Sequence, residues 1–170
     1  MSNEEHEAGD ETYLGSLEDV DRQADLLRRL LGRPLTSVRA QWYTHDPSPS
    51  CWFVEGAMAL VFGDLAVELS SPGAGCDIHV VETDKLSNDD FEYEEAVITW
   101  RQDPWHELHR LCGLTLQKLT LLGDQLGGEL LGLRVVLDDE TVWVLADNDD
   151  LHWSVGKIPI YAKRFQERAL

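Results

Sequence analysis

The chain is short of positive charge, with 14 lysine and arginine residues against 32 aspartate and glutamate residues and a formal net charge of −18. So acidic a surface repels nucleic-acid phosphates and anionic lipids, which argues against a nucleic-acid binder and a peripheral membrane protein. No apolar run approaches the roughly 20 residues that span a bilayer. The first residues also lack the basic and apolar regions of a signal peptide. We therefore expect a soluble, cytoplasmic protein.

Cysteine and catalytic motifs are equally scarce. The three cysteines, Cys51, Cys76 and Cys112, are odd in number and form no Cys-x-x-Cys pair, so neither a disulfide framework nor a zinc knuckle is indicated. We interpret each as a small buried hydrophobe, because each lies among apolar residues. The sequence contains no phosphate-binding, dinucleotide-binding or serine-hydrolase signature. These absences predict no cofactor and favour a non-catalytic protein over an enzyme.

What is present suffices for one core, since 43% of the 170 residues are hydrophobic and six are tryptophan. Residues 1–13 are acidic with almost nothing to bury, so they predict a disordered leader before a single domain over 14–170. Apolar residues three and four apart predict a helix over 16–31, which Gly32 ends and Pro34 prevents from resuming.

Segments of β character follow the helix. Alternating apolar residues and turn signals predict strands at 35–43, 51–62, 65–70, 76–82, 115–122, 129–137, 141–146 and 151–155. Gly63-Asp64 is typical of a two-residue hairpin loop, and residues 138–140 occupy the corresponding place in the later strands.

Several short matches in the same order predict an internal repeat. The segment around Gly32 resembles the one around Gly113, 81 residues later, and further matches follow at offsets of 76 and 73. Asp103 and Pro104 are suited to begin a second helix before Gly113. We therefore predict an α+β fold, in which duplicated units of a helix and an antiparallel meander, 16–82 and 103–155, share one sandwich-like or barrel-like core. An acidic linker, 83–95, would join them, and a basic segment, 156–170, would follow.

Two Asp/His pairs are candidate metal ligands or acid–base groups. Asp77 with His79, and Asp150 with His152, are each two residues apart, which places each pair on one face of a strand. If the halves pack about a local two-fold axis, the four side chains would converge. The alternative places both pairs in water, because the residues between them are the ones that look inward. A metal-dependent enzyme or binder is thus one hypothesis.

The sequence His106-Glu107-Leu108-His109 is compared with the zincin helix, whose histidines are four residues apart and flank a catalytic glutamate. The spacing of three found here, without an evident third ligand, favours an exposed pair of histidines instead.

The aromatic residues indicate a different kind of site. Trp42 and Trp52 each neighbour a second aromatic residue, which leaves one ring of each pair for the surface, and Phe91 and Tyr93 follow acidic residues. Exposed tryptophans and tyrosines are typical anchors of protein interfaces. Together with the charge they predict a non-catalytic module that binds a basic protein.

In charge and size the chain is similar to bacterial immunity proteins and other acidic inhibitors of cationic toxins or nucleases. A homodimeric structural protein, with aromatic residues buried between copies, is the third hypothesis. Arginine outnumbers lysine ten to four, so the acidity is also compatible with adaptation to a salt-rich host.

Overall fold

The computed structural model describes residues 17–44, 51–52, 56–71, 78–83, 91–93, 96–123, 129–147 and 150–170. Its first element is helix α1 (Leu17–Arg28). Ala24, Leu27 and Leu30 are buried at the three-residue spacing of one helical face. Gly32 then takes a φ of +77°, which suits glycine, and the helical turns end there. Among the described residues, no helix has the length and apolar content needed to cross a bilayer.

The strands of the described residues form two antiparallel sheets. The first sheet contains β1 (Ser37–Thr44), β2 (Cys51–Trp52), β3 (Met58–Phe62), β4 (Leu65–Ser70), β5 (His79–Thr83), β6 (Phe91–Tyr93) and β7 (Ala96–Gln102). Its order is β5-β4-β3-β1-β7-β6, and β2 pairs with the C-terminal half of β1. The second sheet contains β8 (Leu116–Gly123), β9 (Leu130–Leu137), β10 (Glu140–Asp147), β11 (Asp150–Val155) and β12 (Gln166–Ala169). Its order is β11-β10-β9-β8-β12.

The main core lies between the two sheets. Alternate residues of the central strands face inward, as Val38 and Val67 do in the first sheet and Leu133 and Val144 do in the second. These side chains belong to one buried cluster, to which α1 adds residues such as Leu27. A short helix, α2 (His106–His109), connects the sheets and contributes its buried Leu108 to the same core.

A second, smaller core covers the outer face of the second sheet. It consists of Leu122, Trp143, Leu145 and Ala162, with Phe165 packed against it. Ala162 belongs to a 3₁₀ helix, Ile160–Arg164, after which β12 pairs with β8. The basic segment predicted over 156–170 therefore folds back on the second sheet and buries Trp143, the tryptophan on the outer face of that sheet.

The predicted α+β class is wrong, because the part of the chain that the structure describes is mostly β, with 59% strand and only 14% helix. The second predicted helix is reduced to four residues, since Trp105 is still extended (φ −117°, ψ 123°) and Gly113 turns the chain at φ +95°. Strands β6, β7 and β12 lie outside the predicted strand segments. Strand β7 contains three consecutive β-branched residues, Val97, Ile98 and Thr99, followed by Trp100, and it pairs with β1 over six positions to widen the first sheet.

Reciprocal backbone hydrogen bonds join the segments that precede β1 and β8. Gly32 N donates to Leu116 O at 2.8 Å, and Gly113 N donates to Leu35 O at 2.7 Å, so the two bonds are related by the 81-residue offset. Pro34 and Thr115 form a bridge at the same offset. The two pseudo-repeats themselves, 16–82 and 103–155, stay a prediction. The leader 1–13 lies outside the described residues, and within the predicted linker 83–95 residues 91–93 form β6.

Candidate tryptophan and metal-ligand sites

Four tryptophans form a cluster at the margin of the main core, which we call the tryptophan cluster: Trp42, Trp52, Trp105 and Trp153. The ring of Trp105 is central, with its centroid 4.9 Å from that of Trp52, 5.1 Å from that of Trp153 and 5.9 Å from that of Trp42. The contact with Trp52 is edge-on, at an interplanar angle of 84°. All four side chains are partly exposed. The cluster thus combines aromatic packing with access from solvent.

Strand alternation explains how these rings meet. Trp42 continues the inward-facing row of Val38 and Ala40 on β1, and Trp52 is its direct partner on β2. Trp153 follows the inward-facing Leu151 on β11 of the other sheet. Trp105 comes from the connection between the sheets, so its ring bridges tryptophans of both.

Two indole nitrogens in the tryptophan cluster find no acceptor in the part of the chain that the structure describes. Nε1 of Trp42 and Nε1 of Trp52 are buried, and no hydrogen-bond partner for either exists among the described residues. A buried N–H without an acceptor costs about 1–3 kcal/mol. The Arg101 guanidinium lies 5.0 Å above the Trp42 ring, so a cation already occupies one aromatic face.

Beside Trp105 the chain gathers three different metal-ligand types, which we call the Asp–His–Cys cluster: Asp103, His109 and Cys112. One ligand atom from each residue lies within 4.8 Å of the other two. The carboxylate Oδ2 of Asp103 is 3.5 Å from His109 Nδ1, and the Cys112 thiol donates to its Oδ1 at 3.9 Å. Burial, and next the charge of Asp103, raise the pKa of the Cys112 thiol.

The first sheet holds Asp103 in place. The carboxylate Oδ1 accepts a hydrogen bond from Val38 N at 2.8 Å and one from the Ser37 hydroxyl at 3.3 Å. The backbone N–H of Asp103 donates to Val38 O at 2.6 Å. Asp103 was expected to cap the second helix, but its side chain caps the start of β1 instead, and its φ of +45° turns the chain toward α2.

The structure does not bring the histidines of the two predicted Asp/His pairs together. His79 is opposite Ser70 in the first sheet, on the face away from the core, and His152 is opposite the outward-facing Leu145 in the second. The two histidines therefore lie on the outer faces of different sheets. Asp150 begins β11, and Asp77 lies outside the described residues. Metal binding by these pairs stays a prediction.

Of the four aromatic residues predicted to bind a protein, Trp42 and Trp52 are brought into direct contact with the same ring. Phe91 and Tyr93 belong to β6, where their backbone partners are Ile98 and Ala96 of β7. Their side chains lie outside what the structure describes.

Sequence reasoning missed the residues that complete both sites. Trp105 and Trp153 were not among the aromatic residues predicted to bind a protein. His109 was paired with His106, and Cys112 was treated as a buried hydrophobe. A local signal did exist, because His109 and Cys112 are three residues apart, the spacing that places side chains together on a helical turn. Asp103 joins them only because the chain reverses between β7 and α2.

A groove of about 490 Å³ separates α1 from β5. Its rim is closed by a two-pronged ion pair, in which Arg29 donates to the Glu82 carboxylate at 2.6 Å and 3.0 Å and lowers the pKa of that carboxyl. At its base Val80 N donates to the buried Gln23 Oε1 at 3.1 Å. These contacts cover the edge of β5, which would otherwise offer free backbone groups to another strand.

Comparisons of the chain with protein-family models, with curated proteins and with solved structures find no match.

Proposed function

We propose that the chain is a non-catalytic binding module that captures a basic protein through the tryptophan cluster. The observation that carries the proposal is the convergence of Trp42, Trp52 and Trp153 on Trp105, with every ring partly exposed. Tryptophan is enriched among the few residues that contribute most of the binding energy in protein interfaces. A cluster of such rings at the margin of a core supports an anchoring role.

The two indole nitrogens that lack an acceptor in the described ranges add to this support. Nε1 of Trp42 and Nε1 of Trp52 lose hydration without gaining an acceptor among the described residues. A partner that offers a carbonyl or carboxylate oxygen would recover part of this cost once the rings shift to admit it.

Charge supports a basic partner. The net charge of −18 attracts a cationic protein over long range and accelerates encounter, most strongly at low salt. At short range, Arg101 above Trp42 demonstrates a stacking mode that arginines of a partner could repeat on the other rings. Long-range attraction and aromatic anchoring thus select the same kind of partner.

The proposal is tested with a synthetic arginine-rich peptide, followed by intrinsic tryptophan fluorescence. The control peptide replaces each arginine by citrulline, which keeps the shape and removes the charge. We expect saturable binding of the arginine peptide that weakens as salt is raised, and much weaker binding of the citrulline peptide.

Matched variants separate the tryptophan cluster from the general acidity. Trp52→Leu should weaken binding on the order of tenfold or more, because it removes a ring of the cluster. Trp100→Leu is the control, since Trp100 lies on the opposite face of the same sheet, under Arg39. Equal affinity of the two variants, with both cooperatively folded, would show that charge alone drives association and would overturn the proposal.

A further inference from the structure

The Asp–His–Cys cluster has the composition of a metal site. A carboxylate oxygen, an imidazole nitrogen and a thiol sulfur are the three donor types that zinc accepts in proteins, whereas magnesium and calcium select oxygen alone. Among the described residues, Asp103, His109 and Cys112 are the one group of three such side chains whose ligand atoms lie this close together.

The separations between the ligand atoms are close to those in an occupied zinc site. Ligands that are 2.0–2.3 Å from a tetrahedral zinc ion are about 3.4–3.6 Å from one another. Asp103 Oδ2 and His109 Nδ1 are 3.5 Å apart, and Asp103 Oδ1 and Cys112 Sγ are 3.9 Å apart. All three ligand atoms lie within 4.8 Å of one another, so an ion would need side-chain movements of only about 1 Å to reach all three.

The surroundings favour such an ion. Val38 N and the Ser37 hydroxyl already orient the Asp103 carboxylate, as outer-shell donors do in metal sites. The His109 side chain is 57% exposed, which leaves the cluster open to solvent, while that of Asp103 is 16% exposed. The acidic surface raises the local concentration of cations.

We infer that Asp103, His109 and Cys112 bind one zinc-class divalent ion, with water or a group from a partner in the remaining position. The thiol gives up its proton to solvent when it coordinates the ion. This inference is independent of the proposed protein binding, although both sites share the connection between β7 and β8. A bound ion would fix the backbone that carries Trp105.

The test uses the full chain, freed of metal with a chelator and kept reduced. Co²⁺ is titrated first, because a cobalt–thiolate bond gives a near-ultraviolet charge-transfer band, and Zn²⁺ is then added to displace it. We expect one equivalent of Co²⁺ to produce the band and Zn²⁺ to abolish it.

Variants assign the ligands. Cys112→Ser should abolish the thiolate band, and His109→Ala and Asp103→Asn should each weaken cobalt binding about tenfold or more. His106→Ala is the matched control, since His106 lies on the same turn outside the cluster, and it should bind like the parent. A Cys51→Ser/Cys76→Ser double variant should also keep the band. Circular dichroism of each metal-free variant separates a lost ligand from a lost fold. Because the His109 side chain is exposed, His109→Ala should disturb the fold least of the three.

Two results would overturn the inference. The first is the absence of a thiolate band at stoichiometric Co²⁺ in the parent. The second is parental affinity in a folded Cys112→Ser or His109→Ala variant, which would place any bound ion elsewhere. Peptide binding by the tryptophan cluster is measured separately in chelator, so one proposal can fail while the other stands.

Discussion

A methyl group added at Gly132 would test the packing of the second sheet most directly. Gly132 is buried in β9, between Leu122 of β8 and Leu145 of β10. A Cβ atom at this position would lie 2.3 Å from Leu145 Cδ2 and 2.8 Å from the carbonyl oxygen of Val144. The leucine can move by changing its rotamer, but the carbonyl belongs to the neighbouring strand, so the strands themselves must separate.

The magnitude follows from two opposing effects. Gly→Ala stabilises a protein by about 0.4–1 kcal/mol through the unfolded chain when the new side chain fits. Overpacking of a dense core costs about 1–3 kcal/mol, and contact with backbone favours the upper part of that range. We therefore expect Gly132→Ala to lower the free energy of unfolding by about 2 kcal/mol.

Urea unfolding followed by tryptophan fluorescence measures the effect. With a slope of about 2 kcal/mol per molar urea, the midpoint should fall by about 1 M at an unchanged slope. Gly123→Ala on the adjacent strand is the matched control, because among the residues that the structure describes its Cβ would approach only the Glu129 carbonyl, at 3.1 Å, near a strand end. It should cost less than Gly132→Ala.

A double variant separates the two contacts of the new methyl group. Leu145→Ala removes one colliding atom, so its combination with Gly132→Ala should cost less than the sum of the single changes. A midpoint for Gly132→Ala equal to or above that of the parent would refute the packing argument.

Two further predictions concern the first sheet. Burial raises the pKa of Glu68, so the folded protein binds the carboxyl proton more tightly than the unfolded chain does. The free energy of unfolding therefore falls as the pH rises from the ordinary pKa of 4.5 through the raised pKa of the folded state. Glu68→Gln should therefore raise the urea midpoint near neutral pH and lose this advantage well below pH 4.5. An equal rise of the midpoint at the two pH values would contradict a raised pKa of Glu68. Gln23→Ala leaves Val80 N without its buried acceptor and should cost about 1–3 kcal/mol. Hydrogen exchange of the Val80 amide should accelerate, and unchanged exchange would show that water replaces the glutamine.

Local sequence signals were sufficient for many individual elements. The strand predicted at 65–70 agrees with β4, and the predicted hairpin at Gly63-Asp64 lies between β3 and β4, with Gly63 at φ +69°. Strand β7 shows where they were insufficient. Its run of β-branched residues favours a strand, but its place beside β1 follows from six long-range residue pairs that no local pattern encodes.

In both candidate sites, local sequence signals identify some of the residues, and long-range packing brings in the others. Composition and neighbouring aromatic residues singled out Trp42 and Trp52, but Trp105 joins them only because the connection between the sheets returns over β1. Likewise, His109 and Cys112 are neighbours on one turn, whereas Asp103 faces them because the first sheet binds its carboxylate.

The sequence by itself therefore determined the acidic surface, the position of α1 and the positions of most strands, because charge, periodicity and turn residues act over a few neighbouring positions. The tertiary structure alone decided the mostly β class, the order of the strands and the two clusters beside α2. Those features depend on which distant segments pair and pack, and that choice reflects the burial of the whole core rather than the preference of any one segment.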